Sequence, residues 1–215
     1  MKVQQFIKKL NNTELGKTGI HEYYVLVPQN VNLSEMFDAP NTNPNFYDRR
    51  SKQILDNIRF TSDRETRIVG LGTYYRENHV CAGDEILFER VDDQNGTQFN
   101  IDLNSFTDLI LFQKMSKGFE VLNLDRLLPK LINNECLIST IIHGITGNLE
   151  IKFIGRFKKR EDSPILTNFY DLFANGINIK NHYGHNELIE LKFSENNSYL
   201  NQISTWQKYE FNWTE

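Results

Sequence analysis

Two short polar segments hold the side chains of this sequence that are best suited to contacting a polar polymer. Residues 10–23 read Leu-Asn-Asn-Thr-Glu-Leu-Gly-Lys-Thr-Gly-Ile-His-Glu-Tyr and lead into a hydrophobic run that ends at Pro28. Residues 63–67 read Asp-Arg-Glu-Thr-Arg and follow a predicted strand. We term residues 10–23 the first arm and residues 63–67 the second arm.

The residue types of the first arm match the hydrogen-bonding chemistry of double-stranded DNA. Base edges in the major groove present donors and acceptors that Arg, Lys, Asn, Thr and His can read, whereas phosphates require cations or N–H donors. Gly16 and Gly19 lack a Cβ and allow a close approach of the backbone. The side chains predicted to contact phosphates are Lys8, Lys9 and Lys17. Those predicted to face bases or to brace the loop are Asn11, Asn12, Thr13, Thr18 and His21.

The second arm supplies two further cations and a carboxylate. Arg64 and Arg67 suit guanine or phosphate, and Glu65 suits the amino group of a cytosine or an arginine that it holds in place. Each arm also has a simpler interpretation. A mixed-charge run at the end of a strand is typical of a solvated hairpin tip, and Gly and Thr before a strand are typical of an ordinary turn.

The densest basic cluster lies in the second half of the chain. It precedes Glu161–Pro164, so a solvated loop over residues 156–162 is the simplest prediction. The loop leads into Thr167–Tyr170, which has the composition of another polar arm, and the cluster is therefore also a candidate for phosphate contact. Its members are Lys152, Arg156, Lys158, Lys159 and Arg160.

A catalytic interpretation rests on three residues. Magnesium-dependent restriction nucleases use an Asp and a Glu-x-Lys on neighbouring strands to hold the metal and position a water. Asp171 followed by Glu190 and Lys192 fits that composition, although Glu-x-Lys is also typical of the outer face of an amphipathic strand. No Ser/His/Asp order, phosphate-binding loop or metal-spaced Cys/His set is present. We therefore predict no catalytic residues, no metal site and no cofactor, and keep the small nuclease as an alternative.

Composition limits these interpretations. The 215 residues carry a formal net charge of −4, so a nucleic-acid site must be a local patch on an acidic surface. Cys81 and Cys136 form no CxxC unit, which favours reduced thiols. The first residues given contain no apolar run long enough for a signal peptide, and no segment approaches the length of a membrane span. We expect a cytoplasmic protein without a membrane partner.

Hydrophobic patterning predicts many short strands and few helices. Asn95-Gly96 between alternating segments indicates a hairpin over 85–103. A helix is predicted over 105–115, one helical turn over 32–37, and a short helix over 124–132 near Pro129. The remaining predicted strands are 22–27, two strands within 54–69, 136–143 as a buried strand, 149–154, 167–173 and 187–193, with a polar aromatic tail after them. This pattern predicts a mainly β protein with a few helices, an α+β class.

The first arm and its strand resemble a known family. Residues 13–21, followed by a strand ending at Pro28, are similar to the arm of the EcoRII N-terminal effector-binding domain. Leu15 replaces the first threonine of that family's pattern, and Gly16 is retained. The matching positions are Thr18, Gly19, His21, Val27 and Pro28.

The second arm extends the resemblance. Residues 63–68 are similar to a charged arm that precedes a strand in the same family, and residues 58–62 take the place of its aromatic strand. The resemblance covers about residues 7–103. It implies a DNA-binding pseudobarrel, related to a plant transcription-factor domain, that grips the major groove with two opposed arms.

Together these observations predict a sequence-specific double-stranded DNA-binding domain of a restriction-modification system. We expect residues 1–104 to form the pseudobarrel core with two arms. Residues 105–215 are expected to form a helical connection and a β-rich second half, which is either an extension or the completion of the same domain. Cleavage or translocation comes from a separate nuclease or nucleotide-hydrolysing domain or subunit. A protein- or RNA-binding β module is the third alternative. The candidate DNA-contacting residues are Lys9, Asn11, Asn12, Thr13, Lys17, Thr18, His21, Arg64, Glu65, Arg67, Arg156, Lys158, Lys159 and Arg160.

Overall fold

The computed structural model describes residues 1–17, 22–37, 39–159, 161 and 165–212. Over these residues the chain is mainly β, as the sequence predicts, with 17 strands and three short α-helices. It divides into two compact units, residues 1–105 with 205–215 and residues 106–204. Thr18, His21 and Arg160, three of the candidate DNA-contacting residues, lie outside the described residues.

The strands are β1 (Lys2–Lys9), β2 (Tyr24–Leu26), β3 (Phe46–Asp48), β4 (Ile54–Leu55), β5 (Arg59–Ser62), β6 (Thr66–Val69), β7 (Glu85–Asp93), β8 (Gly96–Asn104), β9 (Leu109–Lys114), β10 (Phe119–Val121), β11 (Glu135–Ile142), β12 (Ile145–Lys158), β13 (Leu166–Ala174), β14 (Ile177–Asn178), β15 (Leu188–Phe193), β16 (Ser198–Ile203) and β17 (Trp206–Asn212). The helices are α1 (Ser34–Phe37), α2 (Gly72–Glu77) and α3 (Leu124–Leu127), with 3-10 turns at Leu128–Lys130 and Lys180–His182.

The larger sheet of the first unit has six strands in the order β17-β1-β7-β8-β3-β4. Antiparallel pairing places Phe6 opposite Phe88, and Phe88 opposite Ile101. All three side chains are fully buried, and Phe46 of β3 packs against Phe88 with ring centroids 5.8 Å apart. Alternating apolar residues on adjacent strands thus build the core of this unit.

The smaller sheet of the first unit has three strands in the order β2-β6-β5. Its inner face consists of Val25, Phe60 and Ile68, which are all buried. Since side chains alternate along a strand, the neighbouring residues Arg59 and Arg67 share the outer face. This sheet therefore has one apolar face and one polar face.

The second unit contains a closed barrel. Seven strands follow one another in the order β10-β9-β15-β16-β11-β12-β13, and β13 pairs with β10 to close the ring. The inward side chains form a continuous apolar core that includes Phe112, Phe119, Leu149, Tyr170 and Leu191. The closed ring is thus formed after residue 105, whereas the first unit, for which the sequence predicts a pseudobarrel, consists of the two sheets described above.

Several predicted elements are wrong in type or extent. Residues 105–115 contain no helix, because the run Leu109–Phe112 is buried in β9 between β10 and β15. The predicted loop 156–162 begins later, since β12 continues to Lys158. Strand β11 is only half-buried, with Leu137 exposed. The polar tail forms two strands, β16 and β17, and residues 205–215 belong to the first unit.

Other predicted elements are confirmed. The strand before Pro28 and the helical turn at 34–37 are present, although both are short. The hairpin predicted over 85–103 is formed by β7 and β8, and residues 59–69 form two strands that meet at the charged second arm. No helix in the described part of the chain has the length and apolar character needed to cross a membrane.

Candidate nucleic-acid interface

An open groove of about 770 Å³ lies on the polar face of the three-stranded sheet. Its floor comes from β2, β5 and β6, and its ends come from the two arms. The lining residues are Glu22, Tyr23, Tyr24, Arg59, Thr61, Asp63, Arg64, Glu65, Arg67 and Val69. The structure therefore brings the end of the first arm and the whole charged part of the second arm to one surface.

Strand register places the two arms at opposite ends of this sheet. Tyr24, where the first arm enters β2, is paired with Val69, and Val69 is paired with Arg59. The hairpin between β5 and β6 turns beyond the pair Ser62 and Thr66, at the other end of the strands. Three residue steps along β5 separate these ends, which corresponds to about 10 Å at 3.3 Å per residue.

A buried carboxylate anchors the first arm to the sheets. Glu14 is 1 % exposed, and its Oε1 lies 3.0 Å from Nζ of Lys8, which is 5 % exposed. The backbone N–H groups of Asn11 and Leu26 donate to the same carboxylate at 3.0 and 2.9 Å. Glu14 thus connects β1, the arm and β2 through one buried ion pair and two hydrogen bonds.

The rest of the described first arm is a compact turn. Oδ1 of Asn11 accepts hydrogen bonds from the N–H groups of Thr13 and Glu14 at 2.9 and 3.1 Å. The N–H of Lys17 donates to the carbonyl of Asn12 at 2.9 Å, and Gly16 adopts a positive φ of 66°. Asn11 therefore braces the loop through local hydrogen bonds, while the Lys17 side chain is exposed.

Two of the lysines predicted to contact phosphates are buried on β1. Lys9 is 7 % exposed, and its Nζ lies 3.2 Å from Oε1 of Glu85 on β7. Lys8 is paired with Glu14 as described above. In this structure both ammonium groups neutralise carboxylates inside the first unit, so the phosphate contacts predicted for the first arm rest on Lys17.

Arg67 of the second arm contacts both arms. Its Nη1 donates to Glu22 at 3.1 Å, and its Nη2 donates to Glu65 at 2.8 Å. The guanidinium carbon lies 4.4 Å from the ring centroid of Tyr24. The hydrogen bond to Glu65 raises the pKa of Arg67 above its ordinary value, and the charges of Tyr24, Glu65 and Glu22 add to this, whereas burial acts in the opposite direction.

Arg59 and Arg64 are placed differently. Arg59 lies on β5 at the floor of the groove, and Arg64 is exposed at the hairpin tip. Among the residues that the structure describes, neither guanidinium has a carboxylate or hydrogen-bond partner. The groove as a whole is balanced in charge, with Arg59, Arg64 and Arg67 against Glu22, Asp63 and Glu65.

The basic cluster of the second half belongs to the second unit. Nζ of Lys159 lies 2.6 Å from the buried carboxylate of Glu120, and Nζ of Lys158 donates to the carbonyl of Glu161 at 3.3 Å. Lys152 lies 2.9 Å from Glu150. Arg156 is exposed on β12 and is the one member without a partner among the described residues. Most of this cluster is therefore engaged in local contacts.

The three residues of the nuclease alternative are not brought together. Asp171 lies on β13, whereas Glu190 and Lys192 lie on β15, and β10 and β9 stand between these strands in the ring. Neighbouring core residues point inward on both strands, so the three side chains lie on the outer face of the barrel. Among the described residues, no group of three or more His, Cys, Asp and Glu could hold a metal ion.

The candidate DNA-contacting residues include three of the ten groove residues and omit seven, namely Glu22, Tyr23, Tyr24, Arg59, Thr61, Asp63 and Val69. A usable signal was present for Arg59. The hairpin tip at Asp63–Glu65 fixes the pairing of β5 with β6, and the buried positions Phe60 and Ile68 then place Arg59 on the face of Arg67. Glu22 and Tyr24 carry no comparable signal, because their position depends on the pairing of β2 with β6.

Comparison with models of known protein families gives no match. Comparison with the curated proteins gives none either.

Proposed function

We propose that the first unit binds double-stranded DNA and recognises a specific sequence with its two arms. In this proposal the chain is the target-recognition part of a restriction-modification system, with the fold of the EcoRII N-terminal effector-binding family that its arms resemble. The observation that carries the proposal is the groove, because it is lined by residues of both arms. Cleavage or translocation is assigned to another domain or subunit.

The shape of the second arm supports this proposal. The major groove of B-DNA is about 12 Å wide and admits a two-stranded β-ribbon. Strands β5 and β6 form such a ribbon, and its tip presents Asp63, Arg64 and Glu65. The first arm reaches the same sheet from the opposite end. A duplex that accepted the hairpin in its major groove would therefore meet polar groups of both arms.

The charge of the groove supports reading of base edges more than phosphate binding. Its three arginines face three carboxylates, so the groove offers little net attraction to a polyanion. Arginine can pair with guanine O6 and N7, and a carboxylate can accept from the amino group of cytosine. A mixed set of arginines and carboxylates therefore allows the protein to discriminate between bases while it binds non-specific DNA weakly.

The salt dependence of DNA binding is determined by the cations that are not paired with a carboxylate. Lys17, Arg59 and Arg64 have no described charged partner on the arms and sheet. If all three contact phosphates, the slope of log K against log salt is about −2.7, at about 0.9 per contact. Raising salt from 50 to 200 mM then weakens binding about 40-fold. A purely non-specific polycation would show a steeper slope and no preferred sequence.

The test is selection of bound duplexes from a random library by the full chain, followed by titration of the enriched duplex at several salt concentrations. We expect a short enriched motif and a slope of about −3 or shallower. Competition with single-stranded RNA should fail to displace the duplex. Absence of an enriched motif, or preferential binding of the RNA, would overturn the proposal.

A further inference from the structure

Arg67 differs from the other two arginines of the groove because its hydrogen-bonding edge is already occupied. Nε and Nη2 both donate to Oε2 of Glu65, at 3.2 and 2.8 Å, and Nη1 donates to Glu22 at 3.1 Å. The face of the guanidinium stacks on Tyr24 at 4.4 Å. The planar fork that arginine uses for bidentate recognition is therefore directed at protein carboxylates.

We propose that Arg67 is a positioning residue that fixes the spacing of the two arms, and that Arg64 and Arg59 are the arginines that contact DNA. This inference rests on the proposed function of the same groove. Glu22 belongs to the first arm and Glu65 to the second, and one guanidinium holds both. We term the set Glu22, Tyr24, Glu65 and Arg67 the clasp.

Electrostatics explains why the clasp needs its cation. Without Arg67, the carboxylates of Glu22 and Glu65 would face each other across the groove and repel. The pairs are partly solvated, since the Arg67 side chain is 34 % exposed, so each contributes modestly. The stacking on Tyr24, which is 8 % exposed, adds a contact whose geometry is set by a buried ring on β2. The clasp therefore fixes geometry more than it adds stability.

The competing interpretation is that Arg67 reads DNA and that Glu22 and Glu65 merely occupy it until DNA arrives. The two interpretations predict opposite signs for removal of the carboxylates. If Arg67 is a reader, the Glu22→Gln/Glu65→Gln variant releases it and binds DNA more tightly. If Arg67 is a positioning residue, the same variant loses the fixed arm spacing and binds more weakly.

The experiment measures affinity and salt slope on the enriched duplex for four proteins: wild type, Arg67→Ala, Glu22→Gln/Glu65→Gln and Arg64→Ala. We expect both clasp variants to bind about 10-fold more weakly with an unchanged slope, because each loses the two partly solvated ion pairs that join the arms. Arg67→Ala also loses the cation–π contact with Tyr24. Arg64→Ala should lower the slope by about 0.9. Tighter binding of the double variant, or a slope lowered by Arg67→Ala, would overturn the inference.

A measurement without DNA separates this inference from the proposed function. Hydrogen exchange of peptides spanning residues 22–27 and 59–69 reports on both arms directly. We expect Arg67→Ala to raise exchange in both peptides, and Arg64→Ala to leave the first peptide unchanged. Unchanged exchange in Arg67→Ala would refute the clasp, whether or not a DNA motif is found. If Arg67→Ala alters exchange but no DNA motif is enriched, only the proposed function is refuted.

Discussion

Replacing Glu14 by alanine should strongly destabilise the first unit, because this carboxylate anchors the first arm from inside the protein. Glu14 is 1 % exposed and is paired with Lys8, which is 5 % exposed. It also accepts hydrogen bonds from the backbone of Asn11 and Leu26. Alanine removes all of these contacts at once and leaves an ammonium group buried without a counter-charge.

The expected magnitude follows from these contacts. Removing one partner of a buried ion pair costs about 3–5 kcal/mol, because the remaining charge is uncompensated. Each buried donor left without an acceptor costs about 1–3 kcal/mol. This cost is not added in full to that of the uncompensated charge, because water can enter the space that alanine leaves and hydrogen-bond to the donors. We therefore expect a loss of about 3–5 kcal/mol, a large part of the 5–15 kcal/mol typical of a domain.

Urea unfolding followed by tryptophan fluorescence is a suitable assay. Both tryptophans lie in residues 205–215, which belong to the first unit, and Trp206 is opposite Lys8 in the ladder of β1 and β17. The midpoint should fall while the slope of the transition stays constant. Glu77→Ala, at an exposed glutamate of α2, is the control and should change stability by less than about 0.5 kcal/mol.

A double-mutant cycle tests the cause. The cycle compares Lys8→Met, Glu14→Gln and the protein that carries both substitutions. The double variant removes the buried charge and retains an acceptor for a backbone N–H. We expect this protein to be about 2 kcal/mol more stable than Glu14→Ala, since the uncompensated ammonium is gone. A cost below about 1 kcal/mol for Glu14→Ala, or strict additivity in the cycle, would refute the reasoning.

Three further outcomes can be measured on the same protein. Gly70→Ala should lower the free energy of unfolding in urea by several kcal/mol, because φ is +88° and a Cβ would lie 2.0 Å from the carbonyl oxygen of Asn57. Gly96→Ala has no atom near the new Cβ and should lower it by about 1–2 kcal/mol from backbone strain alone. Equal losses for the two variants would argue against the clash. Burial raises the pKa of the Cys136 thiol, so iodoacetamide at pH 8 should modify Cys81 first, and equal rates would contradict this. In an alkaline titration at 295 nm, part of the phenolic absorbance should appear only on unfolding, because burial raises the pKa of five of the nine tyrosines and favours their neutral form in the folded state. Stability should accordingly fall as pH rises above about 10, and complete ionisation of all tyrosines before unfolding would contradict the burial argument. The five are Tyr24, Tyr74, Tyr75, Tyr170 and Tyr183.

Local pattern was sufficient for the strands and turns that depend on neighbours in sequence. The hairpin of β7 and β8 is specified by alternating apolar residues and a turn rich in Asp, Asn and Gly. Local pattern also predicts the second arm, since polar residues separate two β-favouring runs. Residue type alone identifies both arms as polar segments.

Local pattern failed where long-range pairing decides the structure. Residues 106, 109, 110 and 112 have helical spacing, yet 109, 110 and 112 belong to β9, because β10 and β15 pair with this strand on both sides. The polar composition of β17 predicts a tail, but this strand pairs with β1 near the start of the sequence. For the same reason the clasp cannot be predicted from local pattern, since the contact of Glu22 with Arg67 depends on the pairing of β2 with β6.

Selection from a random duplex library, run in parallel with three proteins, tests the central claim most directly. The arm variant Lys17→Ala/Arg64→Ala removes one exposed cation from each arm. Its matched control, Arg50→Ala/Lys52→Ala, removes an exposed arginine and an exposed lysine from the turn between β3 and β4. We predict that wild type and control enrich the same motif and that the arm variant does not. Enrichment of that motif by the arm variant to the wild-type level, or no motif with wild type, would contradict recognition of DNA by the two arms.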